Sequence, residues 1–224
     1  MKSNKNIGRF VGLLFLLIFA TGIIVYQVLQ GPILFSDAFL TITSENSTKI
    51  IISTLLLFLS GATSIIIATI LLPIFKKYNI TLAFLYLAFT ILSFIAIFID
   101  NINVLSLLEL SNEYIKNGSN TSSVFFELGS LFNKKHWWSH YLSLLISCFP
   151  VFVLYYTLYI SKLVPKILSI VGIGAVIFMF IQILSSILGQ GISMNMLLPI
   201  GLIQLIFPLW LIFKGFNSPS LNTK

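Results

Sequence analysis

Six apolar blocks, each long enough to cross a bilayer, dominate this chain. A helix rises roughly 1.5 Å per residue, so crossing the hydrocarbon core takes about 20 apolar residues. The first block, "FVGLLFLLIFATGIIVYQVLQG", occupies 10–31. The others cover about 50–75, 80–99, 137–160, 164–188 and 196–213. Short alternating runs of the kind a half-buried sheet needs are missing. The expected fold is therefore all-α: a polytopic integral membrane protein, a single domain over 1–224 built as a bundle of six transmembrane helices.

Composition agrees with that reading. Only 8% of the residues are charged and 58% are hydrophobic, against about 25% charge in an ordinary soluble domain. Mean hydropathy is +1.04. The net charge of +7 does not point to nucleic acid, because the lysines stand at the ends of apolar blocks and form no dense basic stripe. There they suit lipid phosphates. The first block follows Lys2, Lys5 and Arg9, as a signal peptide would. Its apolar run is longer than the usual h-region, and no small-residue cleavage pattern closes it, so it reads as a retained helix. The lone Cys148 lies inside an apolar block and has no internal disulfide partner.

Charge asymmetry orients the chain. The N-terminal tail, the 76–79 turn with Lys76 and Lys77, the turn with Lys162 and Lys166, and the C-terminal tail with Lys214 and Lys224 contain no acid. The alternate connections hold Asp37 and Glu45 against Lys49, and Asp100, Glu109, Glu113 and Glu127 against Lys116, Lys134 and Lys135. Under the positive-inside rule both termini are cytoplasmic, which an even number of spans permits. The expected location is a cell (plasma) membrane, crossed several times. Lys134 and Lys135, on the outer side beside the fourth span, run against the rule.

The spans carry little chemistry. Gln182 and Gln204 are the main mid-span polar residues, and Ser143 and Ser147 are smaller ones. Such groups bond neighbouring helices or line a cavity. Pro150 and Pro208 lie deep in their blocks, and Gly172 and Gly174 in "VGIGAV" mark a place where another helix can come close. The long connection, 100–136, shows two short helical candidates, "NINVLSLLELSNEYI" and "VFFELGSLF", around the breaker "KNGSNTSS" with its two glycan-acceptor motifs. Both are expected to lie against the headgroups or cap the bundle.

One stretch carries more. In "NKKHWWSHY", His136 and His140 are one helical turn apart, a spacing that permits shared metal coordination. The glutamate of HExxH is absent, and a metal site needs at least one further ligand, which Glu109, Glu113 or Glu127 would have to supply. The simpler reading makes Trp137, Trp138 and Tyr141 an interfacial aromatic belt, with the histidines completing a polar turn. No nucleotide loop, GxSxG or CxxC occurs.

"GRFVGLLFLLIFATGI", "SKLVPKILSIVGIGAVIF" at 161–178 and "LLPIGLIQLIFPLWLIFKGF" at 197–216 resemble the DUF4386 family of bacterial multi-pass membrane proteins of unknown function. The resemblance implies the six-span fold, and it implies an acidic residue where Gln204 stands, so an amide replaces a charge in the last helix. The first outer connection departs from the family pattern. No reaction and no cofactor follow.

The residues favour a non-enzymatic protein that binds lipid or a small amphiphile, or that supports envelope stress or immunity functions. A metal-dependent hydrolase using His136 and His140 and a transporter of a neutral solute using Gln182 and Gln204 stay open. Membrane lipids are the expected partners; protein partners and oligomeric state are not legible. In a Cys148→Ser background, cysteine at Lys116 should react with a membrane-impermeant maleimide on intact cells, and cysteine at Lys77 should not. The reverse pattern would invert the topology.

Overall fold

The structure, a computed structural model, describes residues 2–118, 123–190 and 194–217. Both glycan-acceptor motifs run into 119–122, and residues 191–193 and Lys224 also fall outside the described residues. In chain order the helices are α1 (Lys2–Ile23), a π-helical turn (Ile24–Leu29), α2 (Gly31–Leu34), α3 (Phe39–Glu45), α4 (Ser47–Phe75), α5 (Ile80–Lys116), α6 (Ser123–Ser161), α7 (Lys166–Ile187), a 3₁₀ turn (Met194–Leu197) and α8 (Leu198–Lys214). The fold is all-α, with no strand among the described residues. Six helical segments are long and apolar enough to cross a membrane.

The long connection differs from its expected form. α5 has 37 residues and α6 has 39, so each is about 55–60 Å long, far beyond the roughly 30 Å of hydrocarbon. The two short helices expected in 100–136 are continuations of these spans. No Pro or Gly interrupts 80–116, and a preformed helix extends at one hydrogen bond per residue while a new one needs a nucleus. The first connection, in contrast, does hold short helices, α2 and α3.

The chain divides into two compact units. One comprises Met1–Phe19, Thr63–Ser93 and Leu144–Lys224. Within it, small residues let helices meet. A Cβ on Gly12 would lie 2.7 Å from the Leu211 Cβ and 2.8 Å from the Pro208 carbonyl oxygen, so α1 rests on α8 at that point. Arg9 Nη2 donates to the Phe213 carbonyl at 3.3 Å. Phe207 packs on Phe15 and on Tyr155, with ring centroids 5.7 and 5.4 Å apart. Gly172 faces the Tyr155 ring with no room for a Cβ, while Gly174 meets nothing within 4 Å. Of the two glycines in "VGIGAV", only the first is a contact point. Lys162 ends α6 with φ 54°, and Asn217 closes over that end by donating to the Leu163 carbonyl at 2.8 Å and the Lys162 carbonyl at 3.1 Å.

The other unit comprises Ala20–Ala62 and Phe94–Ser143. Its core joins Ile33, Leu34, Phe39 and Leu40 from α2 and α3 to Ile50 of α4 and Val104, Leu107 and Leu108 of α5. Gly129 of α6 sits over Phe39 and Leu40, where a Cβ would lie 2.9 Å from a Leu40 methyl. On α5, Asp100, Val104, Leu107 and Ser111 are all buried; at spacings of four, three and four they form one stripe. Ile102, by contrast, is exposed. Asp100 is thus carried inside by its place on the buried face of α5.

Gly172→Ala should lower the thermal unfolding midpoint in detergent, by overpacking worth about 1–3 kcal/mol, and Gly174→Ala should leave it unchanged. Equal effects would remove the close-approach role assigned to Gly172.

Candidate functional site

Where the apolar run of α5 ends, a carboxylate meets two imidazoles. Asp100 is buried, as is His136, and His140 is half-buried. His136 Nδ1 lies 2.8 Å from Asp100 Oδ1. Ser139 Oγ donates to the same oxygen at 2.5 Å, and His140 Nδ1 lies 3.4 Å from Oδ2. An ionised carboxylate only accepts, so Nδ1 of each ring carries the hydrogen and Nε2 is left as the second polar atom.

Helix arithmetic brings these groups together. Asp100 lies 16 residues before the end of α5 and His136 lies 13 residues after the start of α6. Those intervals are about 24 and 20 Å of helix, so the two arms arrive at similar depth. His136, Ser139 and His140 occupy one helical turn and face Asp100 together. The Ser143 hydroxyl continues that face, donating to the His140 carbonyl at 2.8 Å.

A local irregularity in the first span lies against His140. The turn Ile24–Leu29 is π-helical, and Gln30 N–H closes it on the Val25 carbonyl at 2.8 Å. π turns cluster at functional sites in general. Gly31 leaves no space for a Cβ against the Tyr26 carbonyl, so the tight exit from the turn requires glycine. The buried Gln30 side chain donates to Ser53 Oγ at 2.9 Å, tying the turn to α4. Tyr26 then presents its ring to the edge of His140, centroids 5.2 Å apart.

From this cluster a cleft opens. Its inner part, about 80 Å³, is lined by Leu34, Phe35, Asn133, His136, Trp137, His140 and Tyr141. A wider part of about 450 Å³ shares Leu34, Phe35, Asn133 and Trp137 and adds Ser36, Asp37, Phe39, Phe126, Ser130 and Lys134. On α6 the lining residues 126, 130, 133, 134 and 137 form one helical stripe. Phe35 is 82% exposed and Phe126 63% exposed. Trp137 packs on Tyr141 with centroids 4.5 Å apart. Trp138, 48% exposed, is not part of the lining.

The arrangement limits the chemistry. Ser139 is no activated nucleophile of a Ser–His–Asp array, because its hydroxyl donates directly to the carboxylate. The acid that reaches the histidines is Asp100. Glu109, Glu113 and Glu127 are exposed, and Glu113 pairs with Lys116 at 3.3 Å. Among the described residues, no group of three or more His, Cys, Asp or Glu side chains is placed to hold a metal ion. The other polar candidates are not among the groups bonded to Asp100. Ser147 accepts from Ser93 at 3.3 Å. Gln182 is buried, and its Nε2 has no hydrogen-bond partner among the described residues. Gln204 is exposed, so no common buried site joins the two glutamines.

The six long apolar helices define a multi-pass membrane protein. Residues 10–215 match the model of DUF4386, a domain of unknown function, and the chain belongs to that family. No curated protein and no solved structure matches the chain.

Removing Asp100 leaves three donors without their acceptor, the buried His136 imidazole among them, a loss of roughly 1–3 kcal/mol for that imidazole alone. In detergent thermal unfolding, Asp100→Ala should therefore be the most damaging change of the cluster. His136→Ala should follow, and His140→Ala, which gives up only a 3.4 Å contact, should cost least. A larger loss for His140→Ala than for His136→Ala would contradict the geometry.

Proposed function

We propose that this protein is a non-enzymatic membrane receptor or carrier that binds an amphiphile in the cleft between α2 and α6. The observation that supports it most is a shared wall. One set of residues, Leu34, Phe35, Asn133 and Trp137, lines both the wide aromatic cleft and the small pocket in front of His136 and His140. Apolar surface that grades into a few polar atoms is what an amphiphile needs. The charge asymmetry of the loops supports an outward-facing cleft and cytoplasmic termini. Exposed rings beside a charged side chain also suit the headgroup level of a bilayer.

A metal-dependent reading retains one point of support. Metal-bound histidines commonly donate their second N–H to a carboxylate, as His136 and His140 do to Asp100. Two imidazoles fall short of the three or four protein ligands zinc normally takes, which is why amphiphile binding is the preferred reading.

The test uses single-tryptophan proteins in bilayers that contain lipid brominated close to the glycerol. One keeps Trp137, with Trp138 and Trp210 replaced by Phe; the other keeps only Trp138. Quenching of Trp137 should saturate at low brominated-lipid fraction and should fall when Phe35 is changed to Asp. Quenching of Trp138 should follow random contact. Identical curves for the two tryptophans would overturn the proposal, and stoichiometric zinc lost on His136→Ala would move the assignment to the metal reading.

A further inference from the structure

Charge is sorted along the cleft. Lys134 lines the wide part and not the inner pocket; His136 and His140 line the inner pocket and not the wide part. Behind the two imidazoles stands the Asp100 carboxylate. The inner pocket is walled by Phe35, Trp137 and Tyr141 together with the histidines, and its volume is about 80 Å³. Aromatic faces attract cations through their quadrupole, more strongly when water is excluded. Such a pocket, with a carboxylate behind it, suits an ammonium group.

Building on the amphiphile reading, we propose that the cleft takes the zwitterionic headgroup of a membrane phospholipid, with its phosphate at Lys134 and its ammonium in the aromatic pocket before Asp100. Spacing agrees with this. Lys134 and Trp137 are three residues apart on α6 and so share a helix face, which puts the lysine beside the aromatic wall of the pocket. The exposed ring of Phe35, next to the outer end of the first span, then receives the glycerol end of the acyl chains. A purely anionic headgroup fits less well, because it has no cation for the pocket and meets Asp37 on the cleft wall. An uncharged diacylglycerol leaves both Lys134 and the carboxylate side without a complement.

The experiment uses the full-length Trp137-only protein in bilayers where the brominated lipid carries an ethanolamine phosphate, a choline phosphate, a glycerol phosphate or no phosphate. The expected result is a preference of about tenfold for the amine-bearing lipids over the glycerol phosphate lipid, the scale of a desolvated cation–π contact. Lys134→Gln, at an exposed side chain that the fold does not need, should weaken saturable quenching by all three phosphate-bearing lipids about threefold relative to the lipid without phosphate, and Tyr141→Leu should reduce the preference for the amine-bearing lipids. Asp100→Asn should also reduce that preference if the variant stays folded by circular dichroism and size exclusion; the Tyr141 variant keeps the test decisive if it does not. Saturable quenching that is equal or stronger with the glycerol phosphate lipid would overturn the headgroup assignment while leaving amphiphile binding intact. Quenching at the random-contact level with every lipid would remove both.

Discussion

A carboxylate at the edge of an apolar helix run has to find hydrogen-bond donors where it stands, because leaving it unpaired in a low-dielectric surrounding costs several kcal/mol. Asp100 meets that demand with His136, Ser139 and His140. All three lie on one turn of α6, so the pairing sets the register of α6 against α5. That register in turn decides which α6 stripe faces α2 and α3, and with it the lining of the cleft. The apolar cluster that holds Val104, Leu107, Leu34 and Leu40 supports the same arrangement, but apolar contacts alone tolerate sliding. A carboxylate bonded to particular nitrogen and hydroxyl atoms does not.

Much of the architecture was legible in the sequence, because crossing hydrocarbon demands about 20 apolar residues with every backbone group satisfied internally. The six blocks follow from that demand. What length could not reveal was where the helices stop. The polar stretch after Ile99 invites a break, yet no Gly or Pro supplies one until Gly118, and α5 runs on to Lys116. The π turn and α2 were hidden for the opposite reason. Gly31 and Pro32 stand at the end of an apolar block and look like simple punctuation.

The candidate site was half legible. His136, His140 and Trp137 stood out by residue type and spacing. Asp100 looked like the polar end of a span, and its partnership needed two facts taken together. It shares the stripe of Val104, Leu107 and Ser111, and it lies about as far from the end of α5 as His136 lies from the start of α6. The first is helical periodicity, readable from sequence. The second requires α5 and α6 to extend well past the apolar runs, and that extension was the feature missed. Glu109, Glu113 and Glu127 drew attention because they lay in the loop, but their exposed positions leave them outside the cluster.

The π turn at Ile24–Leu29 has a consequence for how this part of the chain can vary. A π turn holds an added residue within what is otherwise an α-helical path, and each α-helical residue turns the chain by about 100°. Tyr26 meets His140, and Gln30 meets Ser53, only because that added residue is present. Losing any single residue there would tighten the turn to an ordinary helix and swing everything before it around the axis, even if every remaining side chain were unchanged. In this segment the number of residues carries information that their identities do not.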